Sequence, residues 1–322
     1  PYADRFERSH SLQAAHGIAA EQAGEEPDTG SAVRVAGRVL TVRRFGKLTF
    51  LHLQDGSGRL QVVLDAKRVD AETAEQFNRF VDLGDHVGVD GHTGRTRKGE
   101  PSVFADAWTF LSKALRPLPE KWHGLADVEA RQRERYLDLV SNPETRARFR
   151  FRTRFLKLLR RYLDDHDFEE VDTPVLQTKV TGALARPFHT HHNAMDMPCV
   201  LRIAPETWLK QCVAGGMDRV YEVARCFRNE GMDPSHLQDF TMVEWYAAYW
   251  NYQDNMDFTE GLILHHVDVL LETRTIEVGD VTLDFDTPWP RISMRDLILR
   301  DSGIDYAEYA EADSLREAIR AK

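Results

Sequence analysis

Cysteine is scarce in this chain: Cys199, Cys212 and Cys226 are the only three, and no two of them form a C-x-x-C pair. An odd, widely spaced set argues against a disulfide framework and a cysteine-based zinc site, and points to a reducing, cytoplasmic setting. Long apolar runs are missing too. No window approaches the ~18 consecutive apolar residues that would span a bilayer, so no membrane partner is expected. The chain opens at Pro1 without a Met and without a charged-then-apolar leader. The expectation is a protein that is not secreted, and a fragment or processed product of a longer one. Neither an internal repeat nor a low-complexity tract is present. Positive charge is in deficit, with 42 Lys and Arg against 52 Asp and Glu and a net charge of −10. That sum counts against nucleic acid as a partner, yet Arg34, Arg38, Arg43, Arg44 and Lys47 crowd into one short stretch. A local basic patch matters more to a phosphate than the total does.

What is there fits a globular chain with two cores: 322 residues, 42% apolar and 29% charged. From Val33 to about Leu111 strand signals dominate, in VRVAGRVL, KLTFLHLQ and RLQVVL, with the turn DGSG at 55–58 between the last two. Its Asp-Gly and Gly residues are expected to supply positive φ in a tight hairpin. A short helix at about Ala71 to Val81 and two further strands, HVGVDG and SVFADAWTF, complete a set that matches an OB-type barrel, with an SH3-like barrel as the alternative. The segment KALRPLPEKWHG, 113–124, holds two prolines and reads as an ordered linker. Beyond it, Asn142 is expected to cap a long helix with Pro143 at its first position. Phe151, Phe155, Leu158 and Tyr162 recur at helical spacing beside a second stripe of Leu156, Leu159 and Leu163. The helix stops near His166, and FEEVDTPVLQ runs extended.

Residues 221–246, YEVARCFRNEGMDPSHLQDFTMVEWY, alternate as two strands around a polar loop. The alternation puts Glu222 and Arg228 on one face of the first strand, and Phe240, Met242, Glu244 and Tyr246 on one face of the second. An Arg, an aromatic plane and a carboxylate offered to one surface suit a nucleotide with a charged co-substrate, because a guanidinium forks onto phosphate and a ring stacks on a base. A plain surface hairpin with an exposed ion pair has the same pattern.

FRNEG at 227–231 followed by FTMVE at 240–244 resembles motif 2 of the class II aminoacyl-tRNA synthetases. FEEVDTP at 168–174 resembles motif 1, GALARPFHTHHNAMD at 182–196 and LRIAPETWLKQ at 201–211 resemble the lysine branch, and ALRPLPEKWHGL at 114–125 resembles its joint after the anticodon-binding barrel. The chain is thus similar over nearly its whole length to the bacterial-type lysyl-tRNA synthetases. The resemblance implies an α+β fold: an all-β N-terminal OB-type barrel followed by a class II antiparallel-sheet catalytic domain. The domains expected are a helical segment at 1–30, the anticodon-binding barrel at 31–112, a linker at 113–140 and a partial catalytic domain at 141–322.

Carried over residue by residue, the family's roles are these. Arg228 would hold the α-phosphate of ATP while the lysine carboxylate attacks phosphorus, Glu230 and His236 would contact the nucleotide, and Phe240 would stack on adenine. Glu206 would receive the α-ammonium of lysine, Gly182 and Ala183 would approach the substrate through backbone, Glu244 would pair with the ε-ammonium and Tyr246 would line the same pocket. In the barrel, Phe50 would stack on an anticodon base of tRNA(Lys), with Arg43 and Gln61 beside it. Leu209 favours lysine over aspartate, because the aspartate enzymes have a Lys at the matching place for the substrate carboxylate. The motif 1 helix implies a homodimer.

Thr181 stands where the family has a second Gly, and LQDFT at 237–241 replaces its Pro-Glu before Phe-Thr. Motif 3, the Gly-rich stretch ending in an Arg that clamps the γ-phosphate, does not occur before Lys322. The expectation is a C-terminally incomplete synthetase, inactive as it stands, using ATP and Mg²⁺ with the magnesium ligands outside this chain. The alternatives are a noncatalytic RNA-binding paralogue and a ligase that lysylates a protein. His189, His191 and His192 lack acid or Cys partners at ligand spacing and are read as packing or hydrogen-bonding residues. His265 and His266, adjacent on a helix, are read as structural.

Overall fold

The computed structural model describes residues 3–22, 30–116, 118, 125, 127–286 and 288–322. The chain folds as two compact units, Pro1–Arg146 and Ala147–Lys322. Much of the joint at 114–125, expected as linker, falls outside the described residues.

The first unit opens with α1 (Leu12–Glu21), started by Ser11, whose hydroxyl accepts the Ala14 N–H. Five strands follow: β1 (Ala32–Phe45), β2 (Leu48–Gln54), β3 (Arg59–Asp65) and, after the helix α2 (Ala71–Phe80), β4 (His86–Arg95) and β5 (Pro101–Ser112). They close in the order β1-β2-β3-β5-β4 with β4 returning to β1, so the sheet has no free edge. Alternation drives the closure. Val33, Val35 and Val39 of β1, Leu51 and Leu53 of β2, and Leu60, Val62 and Leu64 of β3 all point inward with Phe77 of α2 and Leu12 of α1. Each such side chain contributes about 1.5–3 kcal/mol by leaving water, while the residues between them, Phe50 and His52 among others, are left on the outer face. The β2–β3 turn differs from expectation. Neither Gly56 nor Gly58 has positive φ among the described residues; instead the Asp55 carboxylate accepts the N–H groups of Ser57 (2.7 Å) and Gly58 (3.1 Å), and the side chain closes the turn.

Two short helices, α3 (Val128–Arg133) and α4 (Arg135–Ser141), precede the long α5 (Pro143–Asp164). They meet around Asp138, which is fully buried. Arg131, Arg135, Asn142 and Thr145 all donate to its carboxylate, at 2.8, 2.6, 2.6 and 3.2 Å. Pro143 opens α5 as expected, and the Asn142 amide nitrogen before it donates to Asp138 and the Leu125 carbonyl, fastening the start of the helix.

In the second unit, after the short strands β6 (Glu169–Glu170), β7 (Leu176–Gln177), β8 (His189–His192) and β9 (Met197–Leu201), come the helix α6 (Glu206–Ala214) and the hairpin β10 (Arg219–Phe227) and β11 (Asp239–Ala247). The helix α7 (Tyr252–Leu270), the hairpin β12 (Thr275–Val278) and β13 (Val281–Asp284), and the helices α8 (Met294–Ser302) and α9 (Ala312–Ala321) follow. β11 pairs antiparallel with β10, whose other edge takes β6 in parallel; β7, β9 and β8 form a second small sheet. The core gathers Leu159 and Leu163 of α5, Tyr221 of β10, Phe168, and Phe258 and Leu262 of α7, with Trp245 and Trp250 against it. The two apolar stripes of α5 thus part company: Leu159 and Leu163 are buried, whereas Phe151 and Phe155 are 42% and 38% exposed. No helix among the described residues is long and apolar enough to cross a membrane.

Candidate active site

The β10–β11 hairpin is the frame. Its register sets Glu222 opposite Glu244 and Cys226 opposite Phe240, so their side chains share one face. Two like charges side by side need separate treatment. Glu222 is buried and bound by Arg202 at 2.6 Å and by the Thr173 hydroxyl at 2.6 Å. It therefore leaves the open surface on which the alternation had placed it with Arg228, and serves as an internal anchor. Arg202 reaches further, donating to the carbonyls of Thr173 (3.0 Å) and Arg225 (2.8 Å), while its own carbonyl accepts the Phe227 N–H at 2.9 Å. One buried guanidinium thus ties the chain before α6 to the strand that ends at Arg228.

Glu244 has a different environment. Burial pushes its carboxyl above the ordinary range; the Tyr246 hydroxyl, donating at 3.2 Å, and the nearby Arg228 and Lys210 charges pull it down, the Glu206 charge pushes it up, and the balance is upward. The Tyr246 hydroxyl is itself raised, by burial and by the two carboxylates. Glu206 takes the first position of α6, where the helix dipole favours an acid, and one turn on the Lys210 ammonium lies 2.5 Å from its carboxylate and 5.7 Å from the Tyr246 ring centre. Gly182 adopts φ +87°, and a Cβ there would lie 3.2 Å from the Cβ atoms of both Ala204 and Glu206. Only glycine lets this loop pass so close to the start of α6. Its neighbour Ala183 is exposed.

On the same face toward the loop, the Arg228 guanidinium stands 5.2 Å over the Phe240 ring, with its Nε 3.4 Å from the Ile203 carbonyl. Beyond it the loop is fastened to the segment after Gly182: the Asn229 N–H donates to the Arg186 carbonyl at 2.8 Å, and the Arg186 N–H to the Glu230 carboxylate at 3.3 Å. His236 is set by Asp233, 2.6 Å from its Nδ1, in a turn whose Asp233 carboxylate also accepts the Ser235 and His236 N–H groups. Opposite Phe240 in the hairpin register, Cys226 is fully buried and its thiol is pushed up to about 11, first by burial. The structure thus brings Arg228, Phe240, Glu244, Tyr246, Glu206 and Gly182 into one neighbourhood, with Glu230 and His236 on the adjoining loop. Chemically, this set offers a guanidinium and an aromatic plane for a nucleotide and two carboxylates for cationic groups.

Residue reading alone missed Lys210, Arg202, Thr173 and Arg186. The Glu206–Lys210 spacing of four was a usable signal, whereas the others act through tertiary contacts or backbone. Leu209 is fully buried, a place where a lysine ammonium without an anionic partner would be costly. His191 hydrogen-bonds to Asp196 at 3.1 Å, an acid partner that the spacing had not disclosed, and His266 is buried with its Nδ1 on the Leu262 carbonyl. No group of three or more His, Cys, Asp or Glu side chains is gathered as a metal site among the described residues.

On the barrel of the first unit, Arg43 pairs in register with Phe50, and Phe45 meets Phe50 edge-on at 6.0 Å. Arg43 is exposed and Phe50 half-buried, on the outer side of β2. Gln61, by contrast, is 5% exposed and donates to Ser102 at 2.9 Å. Its amide nitrogen is engaged inside the fold.

A family model described as OB-fold nucleic acid binding domain matches residues 33–111, and one described as tRNA synthetases class II (D, K and N) matches residues 127–314. Among curated relatives, the chain is 45% identical over 323 residues to a lysine–tRNA ligase of Dehalococcoides mccartyi, covering 100% of this chain and 65% of the relative. It is 46% identical to a lysine–tRNA ligase of Synechococcus sp. (100% of this chain, 64% of the relative) and 43% identical to that of Bacillus subtilis (98% and 64%). The chain therefore spans just under two thirds of the length of these relatives. With an antiparallel hairpin that sets an Arg over a Phe, a fold of matching kind in each unit, and the second family model covering more than half of its residues, the chain belongs to the class II tRNA synthetases of the D, K and N group.

Proposed function

We propose that this chain carries the anticodon-binding barrel and the amino-acid-activating core of a lysine–tRNA ligase. The observation that carries the reading is the pair of carboxylates, Glu206 and Glu244, placed with Tyr246 beside the Arg228–Phe240 stack. A lysine has two ammonium groups, and two neighbouring acids suit it better than they suit aspartate or asparagine. In the proposed reaction an oxygen of the lysine carboxylate attacks the α-phosphorus of ATP, the new P–O bond forms, pyrophosphate leaves, and a terminal hydroxyl of tRNA(Lys) then displaces AMP. Arg228 would stabilise the charge that develops on the α-phosphate, Phe240 would receive the adenine, and Glu230 and His236 would bind the rest of the nucleotide. Gly182 and Ala183 would face the substrate through backbone, and Arg43 and Phe50 would meet the anticodon bases. The engaged amide of Gln61 leaves its carbonyl oxygen as the group for that contact. The described residues gather no magnesium site. A cytoplasmic homodimer joined across α5 accords with the exposed Phe151 and Phe155.

Lysine-dependent ATP–pyrophosphate exchange by the intact protein tests the reading. Glu244→Gln removes a charged partner from a partly dry site, a loss of about 2–5 kcal/mol, or roughly 30- to several-thousand-fold in kcat/KM for lysine, with the KM for ATP nearly unchanged. Arg228→Ala should depress kcat instead. Preferential activation of aspartate or asparagine would overturn the assignment.

A further inference from the structure

The lysine pocket already contains a lysine. The Lys210 ammonium lies 2.5 Å from Glu206 and 5.7 Å from the centre of the Tyr246 ring, and Tyr246 in turn donates to Glu244 at 3.2 Å. An ordinary pair of residues four apart on a helix accounts for the first contact. It does not account for the second, which turns the ammonium toward β11 and the other acid. The Lys210 side chain is 58% exposed and the Glu206 side chain 34%, so the cation sits at the mouth of the pocket on a flexible stem, able to swing into water while the carboxylate stays.

We propose that Lys210 is an internal stand-in for the substrate's α-ammonium: it neutralises Glu206 in the empty pocket and is displaced when the amino acid arrives. The inference rests on the lysine-pocket reading above and adds a residue to it. Two carboxylates facing each other without a cation repel. With Lys210 in place Glu206 is directly paired and Glu244 feels the Arg228 and Lys210 charges, so the empty site carries less uncompensated negative charge before substrate binds. The cost is competition. Every ligand that places a cation at Glu206 must first break the Lys210 pair, whereas a ligand that leaves Glu206 alone has nothing to displace. Lys210 would therefore set affinity mainly through the α-ammonium end of the substrate, where its direct contact lies.

Three ligands separate the ends. Lysine carries both ammonium groups, cadaverine keeps both but lacks the carboxylate, and 6-aminohexanoate keeps the ε-ammonium and carboxylate but lacks the α-ammonium. Isothermal titration of the intact protein and of Lys210→Met compares them, with far-UV circular dichroism to establish folding and Lys210→Gln as a second variant of similar length. An exposed ion pair of this kind is worth up to ~1 kcal/mol, so both variants should bind lysine and cadaverine about two- to fivefold more tightly and 6-aminohexanoate unchanged. Unchanged binding of all three would make Lys210 a surface pair and overturn the proposal, as would weaker binding of lysine and cadaverine, the mark of a cation that organises Glu206 for the substrate. Failure of all three to bind the unmodified protein would instead sink the lysine pocket itself.

Discussion

Replacing Arg202 by Met is expected to cost the second unit about 3–5 kcal/mol, the usual penalty for removing one partner of a buried ion pair. The structure shows why the upper half of that range is reachable. Arg202 and Glu222 are each 4% exposed at the side chain, and the guanidinium serves four acceptors: the Glu222 carboxylate, the Thr173 hydroxyl and carbonyl, and the Arg225 carbonyl. Met fills similar space but donates nothing. Glu222 would keep only the Thr173 hydroxyl, and two carbonyls would lose a donor, each orphaned group costing about 1–3 kcal/mol where water cannot enter. Guanidinium unfolding followed by tryptophan fluorescence measures the loss, because Trp208, Trp245 and Trp250 all lie in this unit. Hydrogen exchange in β1–β5 supplies the control and should not change. The double variant Arg202→Met, Glu222→Met should recover most of the stability, since an apolar pair needs no partner. A single-variant loss below about 1 kcal/mol, or a double variant no better than the single, would refute the argument that the cost is an uncompensated buried charge.

Three further outcomes follow from groups already described. Burial alone would raise the Asp138 carboxyl, but the donors Asn142, Arg131, Arg135 and Thr145 outweigh it and hold it at about 2; a lowered carboxylate stabilises the fold above its ordinary pKa, so the first unit should lose stability as pH falls from about 4 toward 2, and Asp138→Asn should flatten that acid limb in pH-dependent unfolding. Gly182→Ala forces a Cβ onto Ala204 and Glu206 at φ +87°, a strain of about 1–3 kcal/mol; lysine affinity by titration should fall, while an unchanged affinity would mean the loop yields freely. Because Glu244 is raised and an ammonium needs it ionised, lysine binding should strengthen as pH rises through and above the ordinary carboxylate range, and Glu244→Gln should abolish that slope in titrations at several pH values.

Much of this was legible in the residues because alternation and turn chemistry act locally. The five barrel strands and the β10–β11 hairpin fall where period-two patterning placed them, and α2 lies within the helix expected between the third and fourth strands. The misses share a cause. Glu222 shows the same spacing whether it faces a ligand or a guanidinium, and its partner Arg202 is distant in sequence, so only the packed fold decides which. Asn142 stands at the start of α5, and its tie to Asp138, four residues earlier, is a tertiary contact that the spacing does not disclose. The DGSG turn satisfied its backbone with a carboxylate rather than with glycine's freedom. The family motifs brought Arg228, Phe240, Glu206 and Glu244 forward with expected roles, whereas Lys210, within LRIAPETWLKQ, came with none, and its contact with Glu206 appears only in the fold.

Cys226, opposite Phe240 in the hairpin, has a chemical property of its own. A cysteine near two arginines, Arg202 and Arg228, would ordinarily be a target for oxidants, since nearby cations favour the reactive thiolate. Here burial wins, and a thiol held at about 11 carries on the order of one thiolate per ten thousand molecules at neutral pH. Hydrogen peroxide and alkylating reagents should therefore pass this sulfur by, and the hairpin around it should keep its packing through oxidative episodes that would sulfenylate a more exposed thiol.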